Sequence, residues 1–305
     1  MRTLSFEDAH LLNNYFHAFD YQGAQYSLLA NYVWRTDYDI RWEIIGDYLI
    51  FGLMYQGDDG ALHGDLSIPL TRSGVYNPAR VADTVLEARR RFEAAGCPVA
   101  IGNIPAHMVP LLQAAMPGQM TFAHNRDLDE YVYEKDRLIT LSGRALHKKK
   151  NHLNYFQKTY EYEVKPLTKA MLPDILALSD LVREGRPRTE DEVRSLQMEK
   201  NAIHRIVEFL DFKYVYATAI FIDGGLRGYA VGERLSRDTA AEHFEKADVR
   251  YRGIYQAVCS AFCQTLPEDV RFVNREEDMG LENLRQAKLA LRPHHLAEKY
   301  RGEFL

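Results

Sequence analysis

The chain has 305 residues, 46% hydrophobic and 27% charged, with a formal net charge of −5. That composition belongs to a globular protein with a sizeable core, and the mild acidity confines any contact with nucleic acid or anionic lipid to a local patch. No apolar run approaches the roughly 20 residues that span a bilayer, and an acidic pair interrupts the N-terminus where a signal peptide would be apolar, so a cytoplasmic protein is expected.

The first half opens with a short helix and continues as strands in "DIRWEII", "YLIFGLMY" and "LHGDLSIPL", with "GDDG" at 57–60 as hairpin turn. A helix is predicted over 78–95, with proline at its start and Gly96 just past its end. The strand "PVAIGNI" follows, then a helix opened by Pro105, and "DEYVYEKDRLITL" reads as a further pair of strands. His63 and Asp65 flank a hairpin strand and His294-His295 follow Pro293; both sets read as surface polarity.

Residues 142–158, "SGRALHKKKNHLNYFQK", read as an amphipathic helix. From 137 to 158 there are six Lys or Arg and no acidic residue, an electropositive island in an acidic chain. On a helical wheel Leu146, Leu153, Phe156 and Tyr160 form one stripe, and Lys149 falls near its centre while Lys150 borders it. A lysine there must snorkel, pair with a carboxylate or line a cleft, because an unpaired buried ammonium is costly. Lys149 is therefore expected in a cleft near the junction of two domains, and a solvated basic face is the alternative.

The second half repeats the grammar. Helices are predicted in "LPDILALSDLVRE" and "TEDEVRSLQMEKNAIHRIVEFL", the latter begun by a capping box of Thr189 and Glu192. Strands follow in "VYATAIFI", "LRGYAVGERL" and "TAAEHFEKA", then a helix over 253–265, the strand "VRFVNREED" and a helix over 281–292. Cys259 and Cys263, four apart inside an apolar helix, and the isolated Cys97 read as buried free thiols; no metal site is expected. The repeated order gives an α+β fold duplicated in tandem, with domains at 1–160 and 161–305.

Strand alternation nominates polar residues for a cleft. Glu233 shares a face with Tyr229 and Val231, Glu245 with His243, and Asn274 and Glu276 continue the face of Val270 and Phe272. Such groups could hold a cationic amine or take a proton from an acceptor. In the last helix Leu281, Leu284 and Leu291 form the expected buried stripe, flanked by Arg285, Lys288 and Arg292 as an anion-contacting row.

The element order is similar to the GNAT acyltransferase fold. The strings "YVYEKDRLITLSGRALHKKKNHLNYF", "GIYQAVCSAF", "VNREEDMGLENLRQAKLALRP" and "LAEKY" resemble the soluble C-terminal domain of phosphatidylglycerol lysyltransferases and their stand-alone relatives. The resemblance implies two tandem GNAT-like acyltransferase domains, each a mixed, mainly antiparallel sheet flanked by helices, as in Fem-type aminoacyltransferases. It further implies transfer of an aminoacyl group from aminoacyl-tRNA to an amine or hydroxyl acceptor such as a lipid headgroup, with no tightly bound cofactor. GNAT enzymes hold coenzyme A pyrophosphate at a loop of the form Arg/Gln-x-x-Gly-x-Gly/Ala. Here "RYRGIY" supplies Arg250, Arg252 and Gly253 to it, and the bulky Tyr255 departs from the pattern. The expected roles are donor binding by Arg250 to Gly253, base or amine anchor at Glu233, Glu245 or Asn274, and attraction of the anionic partner by Lys149, Lys150, Arg285 and Lys288, with Glu276 in substrate binding. An acyl-CoA-dependent N-acetyltransferase on a small amine and a non-catalytic ligand- or RNA-binding module are the alternatives. No P-loop, dinucleotide fingerprint or nucleophile elbow is present.

Overall fold

A computed structural model describes residues 1–57, 60–182 and 190–305. The chain is α+β and divides into two compact units. The first comprises Met1–Glu130, Glu277–Leu281 and Leu296–Leu305, the second Tyr131–Glu276 and Glu282–His295. The sequence boundary at 160 differs from this partition: residues 131–160, basic helix included, belong to the second unit. The reason is strand pairing, since Glu130–Glu134 hydrogen-bonds to Phe272–Asn274.

In the first unit the sheet runs Arg2–Thr3, Arg41–Ile45, Tyr48–Gln56, Leu62–Leu66, Val99–Pro105, Lys299–Phe304, Met120–His124, with Leu70–Thr71 beside Tyr48–Gln56. All of these pairings are antiparallel except Leu62–Leu66 against Val99–Pro105. The helix Pro78–Ala94 forms as expected: the Asn77 side chain accepts from the Arg80 amide at 3.2 Å, Pro78 supplies a preset φ, and Gly96 continues past the end at φ +77°. Its Val81, Val85, Ala88 and Phe92 are buried at helical spacing. Among the strands that escaped the sequence pattern are Met120–His124 and Lys299–Phe304. The second crosses back from the end of the chain to insert in this sheet, a long-range pairing that no local periodicity encodes.

The other sheet runs from His295–Ala297 through Glu130–Glu134, Phe272–Asn274, Thr239–Ala247, Gly225–Arg234 and Val215–Ile222 to Tyr162–Pro166. Again one pairing is parallel, Thr239–Ala247 against Phe272–Asn274. The helix Ile254–Thr265 covers one face, closely enough that a Cβ on Gly228 would meet Val258 at 2.6 Å. The segment "DEYVYEKDRLITL" is strand Glu130–Glu134 followed by helix Lys135–Thr140, not two strands, and the strand expected in "VRFVNREED" shortens to Phe272–Asn274. The 57–60 turn is described only at Gly57 and Gly60, and the Thr189–Glu192 capping box lies outside the described residues.

Each unit therefore carries the same device: two parallel strands that pair for three residues and then part. In the first, Gly64, Asp65 and Leu66 face Val99, Ala100 and Ile101; in the second, Thr239, Ala240 and Ala241 face Phe272, Val273 and Asn274. Where strands part, side chains rather than backbone fill the gap, and a cavity opens in each unit.

Candidate active site

The larger cavity, about 500 Å3, belongs wholly to the second unit. Its polar lining is Lys149, Glu242, His243, Glu245, Arg275, Glu276 and Lys288, with Tyr255 and Gln256 at the start of helix Ile254–Thr265. A β-bulge decides which carboxylates enter. Val231 pairs with Phe244 but the next residue, Gly232, pairs with Glu242, leaving His243 as the extra residue. The bulge puts Glu242 and Glu245, three apart, on the face covered by the helix. Gly232 is required opposite it, because a Cβ there would stand 1.9 Å from the Ala241 carbonyl oxygen.

Arg275 lies between the two carboxylates. Its Nε is 2.5 Å from Glu242 Oε2, and its Nη2 donates to Glu245 Oε2. The cluster is nearly dry: the Glu242 side chain is 1% exposed and that of Arg275 19%. One guanidinium thus serves two buried carboxylates, and Glu242 Oε1 and Glu245 Oε1 are buried without a hydrogen-bond donor. A buried acceptor left open costs about 1–3 kcal/mol. Burial pushes the Glu245 carboxyl up to about 8, with Arg275 opposing and Glu242 reinforcing the rise. Beside them His243 Nδ1 stands 2.7 Å from Glu276 Oε1. Lys288 Nζ donates to the backbone carbonyls of Arg275 and, at 3.1 Å, of Glu276.

Four of the expected site residues therefore meet in this cavity: Glu245, Lys149, Glu276 and Lys288. Lys149 is half-buried between the buried Leu146, Leu153 and Phe156, and it also lines an adjoining cavity of about 400 Å3 with Lys148, His152, Gly253, Tyr255 and Gln256. Lys150 is exposed and lines neither. Glu233 and Asn274 are buried away from the lining; Asn274 Oδ1 accepts from the Glu276 amide at 2.7 Å and so shapes the turn that carries Glu276. Arg285 does not line the cavity, and Leu284 and Leu291 form its apolar wall rather than a buried stripe, with Leu281 50% exposed. Glu242 and Arg275 were missed in the sequence. Alternation assigned Glu245 to the face of His243, and the bulge breaks that alternation.

The loop before helix Ile254–Thr265 is partly satisfied from within. Asp248 Oδ1 accepts the Arg250 amide at 3.1 Å, the Asp248 carboxylate is gripped by the Arg250 guanidinium at 2.7–3.1 Å, and the Ile254 amide donates to the Tyr251 carbonyl. Gly253, at φ +91°, allows the His152 carbonyl to approach to 2.2 Å of where a Cβ would stand. Arg252 lies over the Tyr155 ring at 4.6 Å. The Asp248 carboxylate thus takes the first amide of the stretch that corresponds to the GNAT pyrophosphate loop.

Comparison with known proteins decides the relationship. Residues 16–302 match the family described as phosphatidylglycerol lysyltransferase, C-terminal. The chain belongs to that family. A crystal structure of a conserved protein of unknown function from Bacteroides thetaiotaomicron is similar over 100% of this chain and 98% of that one, with TM-score 0.85 and 24% identity. The structure of L-PGS from Bacillus licheniformis is similar over 98% of this chain and 91% of that one, with TM-score 0.65 and 12% identity. An uncharacterised protein of Mycoplasmoides gallisepticum is 27% identical over 170 residues, 56% of this chain and 54% of that protein. The chain spans about half the length of this curated relative. The family and the tandem GNAT-like fold are those of acyltransferases. Among the described residues no helix is long and apolar enough to cross a membrane.

Proposed function

We propose that the chain transfers an aminoacyl group from aminoacyl-tRNA to an amine or hydroxyl acceptor, the hydroxyl of a lipid headgroup being the acceptor that the family suggests. The observation that carries this reading is the pair of buried carboxylates sharing one guanidinium inside the larger cavity, with two acceptor oxygens open. An aminoacyl group brings a cationic amine that supplies the missing donors and charge. Glu242, paired with Arg275, anchors that ammonium. Glu245, whose carboxyl burial pushes up to about 8, takes the proton of the attacking acceptor. The acceptor oxygen or nitrogen adds to the ester carbonyl, the tetrahedral species collapses, and the ribose hydroxyl of the tRNA terminus leaves with a proton. Lys148, Lys149 and His152, along the adjoining cavity, face the phosphates of the tRNA end.

An acyl-CoA donor is disfavoured by the Asp248 carboxylate, which holds the Arg250 amide and guanidinium at the start of the loop and repels a second anion there. The test is an assay with a mixture of radiolabelled aminoacyl-tRNAs, read as label passing to small amines and to lipid headgroups, run beside acetyl-CoA and longer acyl-CoAs. Label transfer that falls at least tenfold in Glu242→Gln and in Lys149→Ala supports the reading. Turnover of acyl-CoA with none of aminoacyl-tRNA overturns it, and binding of RNA without turnover makes the chain a recognition module.

A further inference from the structure

The cavity of the first unit, about 190 Å3, lies between helix Leu28–Trp34 and the strands Tyr48–Gln56, Leu62–Leu66 and Val99–Pro105. Trp34, Tyr38, Phe51 and Leu53 make its walls largely apolar. Its charged group is Asp65, which the sequence presents only as polarity flanking a hairpin strand. Asp65 Oδ1 accepts from Arg301 at 2.6 Å, and Arg301 also donates to Glu303 at 2.6 Å, so one guanidinium again serves two carboxylates. Asp65 Oδ2 accepts no hydrogen bond among the described residues. A Cβ at Gly102 would stand 2.9 Å from that oxygen, so glycine leaves it clear on the side of the cavity that both residues line. Gln25 Nε2 donates to the Asn103 carbonyl at 3.2 Å, which leaves Gln25 Oε1 buried without a donor.

Both open atoms are acceptors, and the surplus charge is negative, so the cavity selects for a cationic donor and against an anion. The volume falls below the roughly 300–1,000 Å3 of sites for drug-sized ligands, which limits the occupant to one ring or a short chain. Aromatic walls add a cation–π contribution to the same preference.

We propose that this cavity is a binding site for a small organic ammonium ion, a primary amine with one aromatic ring or a short aliphatic body. Its N–H groups meet Asp65 Oδ2 and, after a small turn of the amide, Gln25 Oε1, while its body lies against Trp34, Phe51 and Leu53. The site is separate from the carboxylate cluster of the second unit and does not depend on the function proposed for it.

The test is calorimetric and thermal-shift titration of the full chain with phenethylamine, 2-phenylethanol and phenylacetate, in the wild type and in a Glu242→Gln/Glu245→Gln background. Binding of the amine alone, retained in that background and weakened at least tenfold by Asp65→Asn, is the expected result. Because Asp65→Asn also removes the partner of Arg301 and could cost folding, Ala30→Lys serves as a second variant. Ala30 lines the cavity from helix Leu28–Trp34, so a lysine there delivers its own ammonium and abolishes binding in a folded protein. The proposal is overturned by no binding of phenethylamine to wild type, by unchanged binding in Ala30→Lys, or by loss of binding in the Glu242→Gln/Glu245→Gln background, which would place the amine in the second unit.

Discussion

Replacing Glu245 by glutamine isolates the electrostatic tension in the larger cavity. A carboxyl raised from 4.5 to about 8 keeps its proton in the folded protein over a range where the unfolded chain has lost it. Its contribution is therefore fully present below pH 4.5 and is lost as the pH rises through about 8. At about 1.4 kcal/mol per unit, the displacement sets a ceiling of roughly 5 kcal/mol. The pull of Arg275 is already contained in that displacement; relaxation of the pocket and entry of water as Glu245 charges lower the ceiling, and we expect about 2 kcal/mol to remain. Glu245→Gln has no such proton, so its stability relative to wild type should improve by about that amount between pH 5 and pH 9. Urea unfolding of both proteins at closely spaced pH values measures the difference, in which all other titrating groups cancel. Parallel stability curves across this range would refute the assignment of a raised, ionisable carboxyl at position 245.

Three further expectations follow from the same geometry. Arg275→Met leaves Glu242 and Glu245 without their shared cation and should cost about 3–5 kcal/mol at pH 8, with recovery toward pH 5 as Glu245 protonates; a cost independent of pH, by the same denaturation assay, would count against it. Gly232→Ala forces a Cβ toward the Ala241 carbonyl and should cost about 2–3 kcal/mol while shifting the bulge, detectable as loss of the pH-dependent stability assigned to Glu245. In the first unit, Lys299 Nζ is 2.5 Å from Glu130 Oε1, with the two side chains 3% and 1% exposed, and Glu130 Oε2 also accepts the Ala24 amide at 2.8 Å. Lys299→Met should destabilise by about 3–5 kcal/mol, and Lys299→Met with Glu130→Gln should recover most of that; no recovery in thermal unfolding would mean that the pair is not the source of the cost.

Much of the fold was legible because its signals are local. The helix Pro78–Ala94 carries its Asn77 cap, Pro78 start and buried stripe in consecutive residues, and the strands Val215–Ile222, Gly225–Arg234 and Thr239–Ala247 follow their apolar runs and turn glycines. The placing of Lys149 in an apolar stripe was legible for the same reason, since a helical wheel needs only neighbours along one helix; the cavity it lines belongs wholly to the second unit rather than to the expected domain junction.

What tertiary structure alone decided is long-range or irregular. The strand Lys299–Phe304 has its meaning only beside Val99–Pro105 and Met120–His124, nearly two hundred residues away in sequence, and the unit boundary falls at Glu130 because of a pairing with Phe272–Asn274. Alternation nominates Glu233, which is buried away from the cavity, whereas the bulge at His243 brings in Glu242 and sets it against Arg275. A bulge inserts one residue into a pattern of period two, so every face assigned beyond it changes sides. The sequence by itself determined most of the elements and the acyltransferase family; the parting of two parallel strands and one extra residue in a ladder decided which side chains share a cavity.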